Sequence, residues 1–325
     1  MLMTNNTSQA RSSEHGSAGE YCFGVLALGD QYRFHARELL NDLEIFAPHA
    51  SVIVLTDHPA EFTSHPNAQV RLFRPRGVLR YYHDKRFVLH EVLSTESSEK
   101  TCIVLDANTR VLKPLPSTLD IADGISAFVT LSLDTEFAEQ ASTEQAVGRR
   151  RFVSLAKCRK IVYDAARQID VNPSDVTFLH EYMYAVTAGR EKLSSFLLVW
   201  DYLAKYMDYH GLAWSEGYAI GLAAAKVGLP VRAHAFLDPS SFYKYRLQGT
   251  AIDRGQKADD QMLLVHREQT LLRQYARFSP WPRRWQQRVQ KLKMGARWLG
   301  FRCTGRRFRD LSGFRANGAG AQQVS

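Results

Sequence analysis

Short runs of consecutive apolar residues alternate with longer amphipathic stretches along the first half of the chain. The runs cover residues 23–28, 51–55 and 101–105, with weaker ones at 70–73 and 125–131. Each has strand length and is rich in Val, Ile and Leu, as a strand buried on both faces must be. The stretches between them predict helices over 32–45 and 84–93. Further on, the pattern predicts a helix over 152–168, a strand over 181–187 and a helix over 216–225 that Gly228 and Pro230 bring to an end. Leu193, Phe196, Leu197, Trp200, Leu203, Ala204 and Met207 fall on one helical face and read as core. A last short strand is expected over 231–236. Residues 134–151 are polar, end in Arg149, Arg150 and Arg151, and read as a mobile loop. Strands separated by helix-length segments place the chain in the α/β class, with a Rossmann-like, mostly parallel sheet covered by helices. The polar residues 1–20 read as a disordered lead-in, residues 21–270 as the folded domain and residues 271–325 as a separate tail.

In such sheets ligands gather beyond the carboxyl ends of the strands. Asp30, Asp57 and Asp106 all stand at or just past such ends. Aspartate also favours turns and helix caps, so position alone does not assign them a role. Asp106 is the sharpest case, because Asn108 follows two residues later at the open end of an apolar strand. Two oxygen-bearing side chains so placed suit a hard cation, or the ribose and diphosphate of a nucleotide.

Asp106 and Asn108, with Lys85 and Arg86 upstream and residues 111–114 downstream, resemble the Asp-x-Asp signature of nucleotide-sugar-dependent glycosyltransferases of GT-A fold. The resemblance implies a GT-A-type domain over 21–270 and transfer of a sugar, UDP-linked by preference, from a nucleotide sugar to a lipid-linked or surface-glycan acceptor. In that family the motif holds Mn or Mg against the diphosphate. Here Asn108 brings an oxygen but no charge, which leaves two outcomes open: a weaker metal site, or a site that relies on basic side chains. The family's basic residue on the preceding helix implies Lys85 or Arg86 against the diphosphate, with Arg86 ahead because its planar fork grips phosphate at two points. Trp214, Ser215 and Glu216 resemble the stretch that opens a helix in the blood-group-type transferases. That likeness turns Glu216 toward the anomeric carbon as the catalytic carboxylate and lets Trp214 and Ser215 line the sugar pocket. A helix N-terminus also favours the ionised acid. Asp30 and Tyr32 match the zone that contacts uridine or ribose. His180 and Glu181 match the lining of the donor and acceptor pockets, and His266 matches a late histidine on the metal. The blood-group-like and glycogenin-like groups imply retention of anomeric configuration. A non-catalytic relative acting as a membrane-attached scaffold is the rival. A nucleotidyltransferase is disfavoured, because the turn at 28–32 lacks a basic, Gly-rich loop.

Charge changes the picture only at the end of the chain. The net charge is +9 over 325 residues, but residues 271–325 carry thirteen Lys or Arg and one acid, Asp310. The preceding residues are close to neutral. Trp285, Val289, Leu292, Ala296 and Leu299 recur at helical spacing, flanked by Arg284, Arg288, Lys291 and Arg302. This is the pattern of an amphipathic helix on an anionic membrane surface. Packing back on the domain and nucleic-acid binding are its rivals, the latter disfavoured. There is no apolar run long enough to span a bilayer and no apolar leader, so a cytoplasmic protein peripheral to the inner face of the membrane is expected. The cysteines at 22, 102, 158 and 303 are far apart and read as reduced thiols.

Overall fold

The computed structural model describes residues 20–75, 82–95, 101–147, 154–210, 212, 216–237, 241–244 and 292. The tail apart from Leu292, the lead-in to residue 19, residues 149–151, Trp214, Ser215 and His266 lie outside the described residues. The elements in chain order are β1 (Tyr21–Ala27), α1 (Asp30–Phe46), β2 (Ser51–Thr56), β3 (Ala68–Leu72), α2 (Arg86–Thr95), β4 (Thr101–Asp106), β5 (Thr109–Val111), β6 (Gly124–Ala127) and β7 (Thr130–Ser132). They continue with α3 (Leu133–Val147), α4 (Leu155–Gln168), β8 (Thr177–Leu179), β9 (Met183–Thr187), α5 (Arg190–Tyr209), α6 (Glu216–Val227), β10 (Val231–Ala233) and β11 (Phe242–Lys244). One of the short 3-10 turns, Tyr82–Lys85, leads into α2.

The α/β class expected from the apolar runs is the one observed. Seven strands form one sheet in the order β10-β6-β9-β4-β1-β2-β3. All neighbouring pairs are parallel except those made by β9, which runs antiparallel to both β4 and β6. Alternate residues feed two cores. Cys102 and Val104 face a core built with α2, α4, α5 and α6, while Ile103 and Leu105 face one built with α1. Burial on both faces explains why the strands carry apolar residues at successive positions rather than at every second one. The α5 stripe from Leu193 to Met207 is buried in the first core, as its spacing predicts. Cys22, Cys102 and Cys158 are buried as thiols.

Two expectations are corrected. The strand read over 125–131 is two strands, β6 and β7. The polar segment read as a loop folds into α3, which Leu133 and Phe137, one helical turn apart, anchor in the core. Apart from these two, its apolar residues are three alanines and a valine at the very end, too weak a pattern for a periodic signal. The short strands β5, β8 and β11 also escape the pattern; β5 pairs with β11 and β7 with β8, both antiparallel. Asp42 of α1 anchors β5. It accepts from Arg110 Nε and a terminal Arg110 nitrogen at 2.5 Å each, and from the Val111 N–H at 3.1 Å.

Candidate functional site

The order of strands sets the site. β1 lies between β2 and β4: the chain winds outward from β1 through β2 to β3 and then crosses back to β4 on the other side of β1. Crevices open at the carboxyl end of a sheet where the winding reverses in this way. Asp106 ends β4 there, opposite Leu26 of β1. Because β9 runs backwards, its start lies at the same edge, and the Asp106 N–H donates to the Tyr182 carbonyl at 2.9 Å. That reversal brings His180 and Glu181, which precede β9, beside the end of β4.

Lys85 is the centre of the cluster. It ends the 3-10 turn before α2, and its Nζ contacts the Asp106 carboxylate. The same nitrogen donates to Glu216 Oε1 at 2.8 Å and to the Glu181 carbonyl at 3.0 Å. An ammonium has three N–H groups, and three acceptors surround this one. Side-chain exposure is 6% for Lys85 and 0% for Glu216, against 14% for Asp106. Asp106 is therefore the member of the triad that reaches the surface.

The electrostatics follow from that crowding. Burial alone would lower the Lys85 pKa, but the charges of Asp106, Glu216 and Glu181 outweigh it and raise the pKa, so the group stays an ammonium. Glu216 is pushed well above the usual carboxylate range, first by burial and then by Glu181 and Asp106, with Lys85 opposing. Tyr184 of β9 is buried in the same field, and burial with the charge of Glu216 pushes its phenol well above its ordinary value. Neither the Tyr184 hydroxyl nor Glu216 Oε2 has a hydrogen-bond partner among the described residues.

Two glycines allow Glu216 to sit so deep. A Cβ on Gly217 would fall inside contact distance of the Leu179 carbonyl oxygen, and one on Gly221 would do the same at Thr177. Helix α6 therefore rides directly on the backbone of β8, and its first residue points into the centre. The Glu181 carboxylate lies over the same end of the helix, 3.0 Å from where a Gly217 Cβ would stand. Beside it, Gln140 of α3 bonds to Glu136 and donates to the Tyr218 hydroxyl at 3.0 Å. Burial raises the Glu136 pKa, while Gln140 and His180 pull it down.

The other expected residues fall in different places. Arg86, preferred on sequence as the diphosphate's cation, does not join the centre. Its guanidinium bonds to Asp201 at 2.9–3.0 Å, to the His83 carbonyl at 2.6 Å and to Asp84 at 3.3 Å, and lies over the Phe87 ring. The sequence does not reveal that Asp201 of α5 packs against the start of α2. Asn108 is buried just past β4. Tyr32 is half-buried against the α1 core. Asp30 is exposed and paired with Arg33, a buried residue that sequence reading missed. Arg33 also reaches Asp57 at 2.7 Å and Glu61 at 2.8 Å, and Asp57 accepts the Gly29 N–H at 3.1 Å. The carboxylates at the ends of β1 and β2 thus lock the two loops together around one arginine. In the sequence, only the spacing of Asp30 and Arg33 hints at this.

Mn or Mg does not fit the centre as built. The carboxylate that would ligate it already holds an ammonium, and Asn108 adds no charge. Among the described residues no group of three His, Cys, Asp or Glu side chains is placed to hold a metal ion. No helix among them is long and apolar enough to cross a membrane. Comparison of the chain with protein-family models and with curated proteins returns no match.

Proposed function

We propose that this protein is a glycosyltransferase of GT-A type that moves a sugar from a nucleotide sugar, UDP-linked by preference, to a lipid-linked or surface-glycan acceptor. One observation carries the reading. Asp106 at the end of β4 and Glu216 at the start of α6, distant in sequence, meet on Lys85 at the carboxyl edge of the sheet where the winding reverses. These are the residues on which the family resemblance rests.

The proposed roles follow the exposure of each group. Asp106, at the rim, accepts hydrogen bonds from donor hydroxyls. Lys85 cancels its charge so that an anionic diphosphate can approach. Glu216, wholly buried on Lys85, holds that ammonium in place, which moves it from the anomeric carbon to a supporting role. Glu181 is half-buried over the α6 N-terminus, and it and His180 are the groups left to face the reacting carbon and the acceptor hydroxyl. The basic tail supports a peripheral location on an anionic leaflet.

Turnover of a panel of UDP-sugars by the purified full chain tests the reading. Asp106→Ala is expected to lower turnover about a hundredfold; unchanged turnover overturns the site. A second reading draws on the closed triad. An ion cluster whose ammonium has every N–H engaged also suits a non-catalytic scaffold with the same fold. Calorimetry with UDP separates the two, since a scaffold takes up no nucleotide even at millimolar concentration.

A further inference from the structure

We propose that this centre works without a divalent cation: the Lys85 ammonium holds the place on Asp106 and Glu216 that a metal would need, and Asp106 is left to accept hydrogen bonds from the hydroxyls of a sugar or ribose. The identity of that ligand rests on the function proposed above; the exclusion of metal rests on the geometry of Lys85 alone.

A hard divalent ion requires about six oxygens and at least one carboxylate free to approach it. Asp106 is the acid at the strand end, and Lys85 Nζ is in contact with its Oδ1. An ion on that carboxylate would sit within a few ångströms of a fixed positive charge, in surroundings that screen the repulsion poorly. Lys85 has no ready way to withdraw. Its nitrogen also holds Glu216 Oε1 at 2.8 Å and the Glu181 carbonyl at 3.0 Å, and its side chain is 6% exposed. The turn that carries it is pinned next door, because Arg86 bonds to the His83 carbonyl within the turn and to Asp201 of α5 outside it.

The departure at position 108 then has a reason. With an ammonium already supplied by the chain, a second carboxylate beside Asp106 would add uncompensated charge, and the buried amide of Asn108 does not.

Titration of the full chain with Mn, followed by electron paramagnetic resonance, tests the proposal without any nucleotide. The wild type is expected to leave Mn free at millimolar concentration. One Mn bound per chain and released by Asp106→Asn overturns the proposal. Thermal melts give a second readout. Mn is expected to leave the wild-type Tm unchanged and to raise that of Lys85→Met, where Asp106 and Glu216 face each other without an ammonium; a raised wild-type Tm overturns the idea. If Lys85→Met does not fold, the wild-type measurements decide. Calorimetry with a UDP-sugar completes the set: affinity in EDTA is expected to match that in Mn to about twofold, and a loss of about tenfold or more in EDTA overturns the proposal. No binding in either buffer sinks glycosyl transfer instead, and the Mn titration still judges the metal.

Discussion

His83 shows how much a single buried group at this centre governs. It stands two residues before Lys85 in the same turn and has no exposed surface. Burial, with Arg86 and Lys85 beside it, lowers its pKa from 6.5 to about 3, although the nearby Leu212 backbone opposes the shift. The folded state thus keeps the ring neutral where the unfolded chain protonates it. Its stability contribution is complete above pH 6.5 and is lost as pH falls from there toward about 3. The wild type is expected to lose about 2 kcal/mol more than His83→Gln between pH 7 and pH 5, measured by urea unfolding at the two pH values. Equal losses would show that the ring is not held neutral. At this scale the sequence points to candidate residues and is silent about their partners. Lys85, Asp106 and Glu216 stand out by position, but nothing in the order of residues says that one ammonium bridges both acids or that Asp201 claims Arg86.

The element on which the site most depends is α6. It is the helix whose start is legible in the sequence, with Glu216 opening it and Gly228 ending it. The sequence does not show that Gly217 and Gly221 form the face that meets β8, since β8 is a three-residue strand with no pattern of its own. Gly217→Ala sets a methyl group against the Leu179 carbonyl and the Phe178 ring. Backbone yields less easily than a side-chain tip, so the expected cost is about 1–3 kcal/mol in chemical denaturation. The substitution also shifts Glu216 off Lys85, so turnover should fall with stability. A fully stable Gly217→Ala protein would show that α6 does not ride on β8. By contrast the sequence predicts a loop where α3 stands, because two large apolar anchors are too few to announce a helix. Its place is fixed by contacts such as Phe137 stacked on Tyr218 of α6, with ring centres 5.3 Å apart.

The whole molecule divides by charge. Of the net +9, the tail over 271–325 accounts for more than all of it, and the domain that carries the site is nearly neutral. The surface attachment proposed for the tail can therefore be tested apart from the chemistry proposed for the domain. The full chain is expected to sediment with vesicles containing phosphatidylserine at low salt and to leave them as ionic strength rises, since each basic residue near such a surface contributes about 1 kcal/mol that salt screens. Unchanged partitioning on neutral vesicles would remove the electrostatic anchor, and tighter binding to nucleic acid would redirect the tail to that partner.

The order of apolar runs by itself determined the α/β class, the strand ends at Asp106 and beyond β1, and the helix start at Glu216, because burial on both faces of a sheet and the periodicity of helices are written in local pattern. Only the tertiary structure decided that β9 runs backwards, that His180 and Glu181 thereby reach the edge where β4 ends, and that Lys85 rather than Arg86 stands between the two acids. The physical reason is that an apolar run has no direction and a charged side chain has no assigned partner until the layers pack. Strand direction and ion pairing are properties of which surfaces meet, and the chain encodes those contacts jointly rather than residue by residue.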